Sequence, residues 1–160
     1  MLTDSQLLTL KSAIAAETDP EFVALRTAGS TGLMAEWFNA DSTFVVWKTS
    51  VSVQAVGQAL NSSEVAGLTT ANTSRLQVLQ QYSGGSFNPS LADTRSGFDS
   101  IFSGASGALT RAALLVLWKR KATRAEKIFA TGTGTDGVPG ALVFEGRIVE
   151  YDVVRALTQV

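Results

Sequence analysis

The sequence predicts a mainly α-helical fold, a multi-helix bundle with a short β-hairpin or extended segment near the C-terminus. Three observations carry that expectation. Apolar residues recur at helical steps through most of the chain, and capping chemistry stands where those stripes begin. After Ala130 the pattern breaks into alternating glycine and threonine before a Pro139-Gly140 turn. The 160 residues fit one domain with its own core, read as a helical body over about 1–130 and a loop, hairpin and closing helix over about 131–160.

Taken in order, Thr3-Asp4-Ser5-Gln6 supplies an N-cap, and Leu7, Leu10 and Ile14 follow at helical spacing, so a first helix spans about 4–17. Asp19-Pro20 reads as an N-cap with an N1 proline, opening a short helix to about Arg26. Gly29 and Gly32 interrupt the chain before a helical piece at 33–39 that carries Met34, Trp37 and Phe38. TFVVWKT at 43–49 is β-branched and aromatic and reads as extended. Helical spacing returns at 52–60, for a turn or two at 62–68, and at 69–82, where Gly84-Gly85 ends it. Leu91, Arg95, Phe98 and Phe102 form a stripe ending at Gly104. Ser106 then caps a helix to about Ala122, apolar on most sides over 112–118 and therefore expected at the centre of the core. Thr123-x-x-Glu126 is a capping-box pattern for a further short helix. Residues 141–144 read as a short strand and 150–158 as a closing helix, with 83–90 and 131–140 as mobile loops.

Composition narrows the function classes. Apolar content of 45%, charged content of 17% and a net charge of −1 are those of a globular chain with no overall pull toward nucleic acid or anionic membrane. The longest apolar run is seven residues at 112–118, far short of the ~20 needed to span a bilayer. The chain lacks cysteine and histidine, which removes thiolate and imidazole ligands, the commonest general base and the usual near-neutral proton switch.

Four patterns still hint at chemistry. Gly132-x-Gly134-x-x-Gly137 matches a dinucleotide-binding expression, but Val138-Pro139-Gly140 and the strand expected after it leave no room for the helix that would hold a pyrophosphate. Gly104-Ala-Ser106-Gly107 falls one glycine short of a nucleophile elbow and has no histidine to activate Ser106. Asp93/Asp99 and Glu150/Asp152 are spaced like solvated helix faces rather than an acid–base pair. Lys119, Arg120, Lys121, Arg124 and Lys127 put five cations in nine residues. They read either as helix C-terminal charge, about 0.3–1 kcal/mol each, or as a face for an acidic partner or DNA. Trp37, Phe38 and Trp47 are candidate interface aromatics. No catalytic, cofactor-binding or metal-binding residue emerges, and the expectation is a protein that is not an enzyme and carries no cofactor.

The segment KATRAEKIFATGTGTDGVPGALVFEG resembles the C-terminal signature of a family of small tailed-bacteriophage and prophage proteins. In that family a basic RAEK-type helix leads into an F-A-T-G-T-G-T loop and a P-A-x-x-x-F-E-G strand. FVVWKTSVSVQAVGQAL resembles its W-x-T-x-V stretch, and the first helix its L-x-x-L-K pattern. Gly140 between Pro139 and Ala141 departs from the signature. The resemblance implies a virion structural protein, and the company of capsid and tail genes implies a head–tail connector. The expected partners are further copies of the chain in a ring of about twelve, the portal protein, a tail-side neck or tail-completion protein and channel DNA, but no membrane. Localisation would be the head–tail junction of the virion, after synthesis in the host cytoplasm. Capsid decoration and tail completion are the alternative virion roles. In this reading Thr131, Gly132, Thr133, Gly134, Thr135, Asp136, Gly137 and Pro139 form an assembly loop, and the basic run faces portal or DNA.

Overall fold

The structure, a computed structural model, describes residues 1–159. Its helices are α1 (Asp4–Ala16), α2 (Pro20–Thr27), α3 (Thr31–Asn39), α4 (Val53–Ala59), α5 (Ser62–Ala66), α6 (Thr70–Tyr82), α7 (Ala92–Ile101), α8 (Ala108–Trp118), α9 (Arg124–Phe129) and α10 (Glu150–Thr158). The strands are β1 (Asp41–Trp47), β2 (Val51–Ser52), β3 (Ser86–Phe87) and β4 (Lys119–Thr123). The fold is thus mainly α, as the sequence predicts. Two compact units make up the chain, one from residues 1–45 with the chain from 121 onward, the other from residues 46–120. β1 pairs with β4.

In the first unit, local chemistry sets the helix starts. Thr3 and Gln6 form a capping box on α1, and the Asp19 carboxylate accepts the N–H groups of Glu21 and Phe22 at the start of α2. Leu7, Leu10 and Ile14 of α1 meet Phe22, Met34 and Phe38, and α9 adds Ala125 and Phe129. The core closes with Ile148 and with Val153 and Ala156 of α10, a helix that packs on α1 and α3. Asn39 ties down the segment before α10. Its amide donates to the Ile148 carbonyl at 2.7 Å and accepts the Ile148 N–H at 2.9 Å.

The second unit is built on Val56, Leu76, Phe98, Ile101, Phe102, Leu114 and Trp118. Phe98 stands edge-on to both Phe87 (5.1 Å) and Trp118 (5.5 Å). β2 pairs antiparallel with β3, Val51 opposite Phe87 and Ser52 opposite Ser86. Among the described residues no single helix is long and apolar enough to cross a membrane.

Three expectations are corrected. The helix over the apolar run ends at Trp118 rather than near Ala122, because Lys119–Thr123 leaves helical geometry to pair with β1. That helix is not central to the core: Thr110, Leu114 and Trp118 are buried, whereas Leu109, Leu115 and Val116 face water. Residues 141–144 form no strand of their own, only a bridge between Thr131 and Ala141 that closes a hairpin-like turn.

Candidate functional site

The basic run, the aromatics and the Gly/Thr loop take separate places. β4 carries Lys119, Arg120 and Lys121, so these are strand residues rather than helix C-terminal charges. Only Lys121, Arg124 and Lys127 share a cleft, of about 490 Å³, in the first unit. Its opposite charge comes from Glu17, Asp19 and Asp41, its hydroxyls from Ser42 and Thr43, and its apolar lining includes Trp37 and Phe38.

Local structure positions several of the charged groups of the cleft. The Thr123–Glu126 capping box starts α9 and so directs Arg124 and Lys127. The Arg124 guanidinium lies 4.1 Å from the Trp37 ring centroid and donates from Nη1 to the Trp37 carbonyl at 3.1 Å. Glu17 Oε1 accepts the N–H groups of Thr18 and Asp19, each at 2.9 Å. Three cations face three carboxylates, so the cleft has little net charge to offer a polyanion.

The three candidate interface aromatics all make packing contacts, with Phe38 buried and Trp37 and Trp47 half-buried. Phe38 is buried in the core, and Trp37 packs beside it against Phe22 at a centroid distance of 4.6 Å. Trp47 packs on the other core beneath Arg95, 4.3 Å from its ring centroid.

The Gly/Thr loop is docked, in contrast to the free loop expected. Thr131 and Ala141 exchange two backbone hydrogen bonds of 2.9 and 3.0 Å. Val45 of β1 donates its N–H to the Gly134 carbonyl at 2.7 Å and accepts the Gly140 N–H at 2.8 Å. Within the turn, Thr133 Oγ1 donates to the Val138 carbonyl, and Thr135 Oγ1 accepts the Val138 N–H, both at 3.1 Å. Gly134 has φ +65°, and a Cβ there or at Gly140 would run into the Phe44 ring. Of the Gly132-x-Gly134-x-x-Gly137 pattern, Gly134 therefore serves a close backbone–ring approach, whereas Gly132 lies against the Gly140 backbone and Gly137 faces open space. The chain after Gly137 turns back to the bridge and opens no helix. Thr135, Asp136 and Gly137 form the exposed tip.

In the second unit, α8 begins at Gly107 without a cap from its own chain neighbours. Ser106, read as its cap, sits in a 3-10 turn, and Glu64 of α5 does the work instead. Its two carboxylate oxygens accept the N–H groups of Leu109 (2.9 Å) and Thr110 (2.8 Å). Desolvation would raise the Glu64 pKa, but the bonds from Thr110 and Leu109, with the charge of Arg111, hold it below its ordinary value. Sequence spacing gave no signal for Glu64, Phe44 or Asn39, whose partners lie far along the chain. Among the described residues no three carboxylates converge as a metal centre requires. Comparison with protein-family models, with curated proteins and with solved structures finds no match.

Proposed function

We propose that the chain is a structural protein of a tailed-bacteriophage virion and, within it, a head–tail connector that forms a ring of about twelve copies between portal and neck proteins. Virion membership is supported by the resemblance of the FATGTGT cassette and of the W-x-T-x-V stretch. An assembly role is carried by one observation: on α8, Leu109, Leu115 and Val116 are 64%, 44% and 75% exposed. An aligned apolar stripe in water is what a protein neighbour covers. The balanced cleft around Arg124 suits a neighbour of mixed charge better than a phosphate backbone. We read the role as architectural rather than catalytic, since Gly134, the central glycine of the nucleotide-like pattern, is packed on Phe44 and no helix follows Gly137.

Native mass spectrometry of the full chain with portal tests the connector role. The expected product is a portal ring carrying about twelve copies of the chain, and a chain that stays monomeric beside portal overturns it. Cryo-EM of the virion separates the other roles by position. Density on the capsid lattice would mean decoration, and density at the tail end would mean completion.

A further inference from the structure

The cleft of about 490 Å³ in the first unit draws its two signs of charge from different elements. Glu17 and Asp19 enter from the corner between α1 and α2. There Glu17 Oε1 accepts the N–H groups of Thr18 and Asp19, and Asp19 Oδ1 accepts those of Glu21 and Phe22. Each carboxylate keeps its second oxygen out of those bonds. Arg124 and Lys127 enter from α9, three residues apart and so on one face of that helix. The Arg124 guanidinium spends Nη1 and one face on Trp37 and leaves Nε and Nη2 for other acceptors. Lys127 is exposed, as are Asp41 at the start of β1 and Lys121 in the middle of β4, which complete the charged lining.

We propose that this cleft binds a short dipolar ligand, with a cation at one end, a carboxylate at the other and an apolar stem. The charge arrangement selects the class. A polyanion is drawn to α9 but repelled by Glu17, Asp19 and Asp41, and a simple cation meets the reverse. A ligand with one charge of each sign gives its carboxylate to Arg124 and Lys127 and its cation to Glu17 and Asp19, so neither set of charges repels it. Half-buried Trp37 and Ile128 offer the stem an apolar surface, and the volume is that of a small-ligand pocket. A free amino-acid-like molecule and a polypeptide segment with side chains of opposite sign both carry this chemistry. The inference rests on the cleft alone and is independent of the virion reading.

Titration of the full chain, followed by heteronuclear NMR, tests it with two dipolar probes. One is the capped peptide acetyl-Lys-Ala-Leu-Glu-amide, charged only on its side chains, and the other is ε-aminocaproate, a free dipolar ion. At least one of them should move the Trp37 indole N–H and the α9 amides with a Kd of about 1 mM or tighter. The indole N–H of Trp118, buried in the other unit, should stay in place. Acetyl-Lys-Ala-Leu-Lys-amide and acetyl-Glu-Ala-Leu-Glu-amide should bind at least about threefold more weakly. Lys127→Gln should weaken the dipolar probe by about twofold to fivefold and leave the melting temperature unchanged. Binding of the peptide alone assigns the cleft to a polypeptide segment, and binding of ε-aminocaproate assigns it to a small dipolar molecule. The proposal is overturned if neither probe moves those resonances at about 10 mM. Same-sign peptides that bind equally well, or a Lys127→Gln chain that binds like the wild type, overturn it too.

Discussion

The ring of Phe44 occupies the space that a Cβ on Gly134 would need. Gly134→Ala therefore meets two costs, a left-handed backbone at φ +65° and a collision with the ring. The expected loss is about 2–4 kcal/mol in urea unfolding. In a Phe44→Ala background the collision is gone, and the same substitution should cost only about 1–2 kcal/mol. Equal costs in the two backgrounds would mean that the loop does not rest on Phe44.

Glu64 links α5 to the start of α8, and its lowered pKa makes that link pH-dependent. A carboxylate whose folded pKa is depressed adds stability that is present above its ordinary value near 4.5 and is lost as pH falls through the folded value. Glu64→Gln should lower the urea midpoint at pH 7. The gap to the wild type should narrow as pH falls below about 4.5 and close once Glu64 is protonated. A gap that stays constant as pH is taken well below the ordinary glutamate range would remove the charge from the account.

What was legible in the sequence was local. Thr3 with Gln6, Asp19 with Pro20 and Thr123 with Glu126 act within one helical turn, and each starts a helix where the spacing predicts. The stripe with Phe98 at its centre likewise identifies a core helix, with Phe98 fully buried. What stayed hidden depends on distant partners. Lys119–Thr123 has the composition of a solvated helix end and becomes a strand because β1 lies beside it. The α8 cap comes from Glu64, 45 residues before Leu109. The Gly/Thr cassette was visible as an unusual segment, but its docking depends on Phe44, which nothing local marks.

Asn39 stands in for a strand partner by holding both backbone groups of Ile148. Ile148 is itself buried, so removing the amide strands an N–H and a C=O away from water. Asn39→Ala should cost about 2–4 kcal/mol, the sum of two such losses. Hydrogen exchange at the Ile148 amide should rise in step with it. Unchanged protection at Ile148 would mean that another group holds that segment.

The cleft around Arg124 gives opposite expectations for the two kinds of partner considered for the basic run. Lys121 and Lys127 share it with Glu17, Asp19 and Asp41, and Arg124 is already engaged with Trp37. A duplex brought to this surface would have its phosphates set against carboxylates as often as against cations. The chain should therefore bind DNA no more tightly than about 10⁻⁴ M at physiological salt, the weak end of non-specific binding. Replacing Lys121 and Lys127 together by Gln should leave that value and its salt slope unchanged. A loss of binding with a slope reduced by about two would instead make these lysines phosphate contacts and turn the cleft toward DNA.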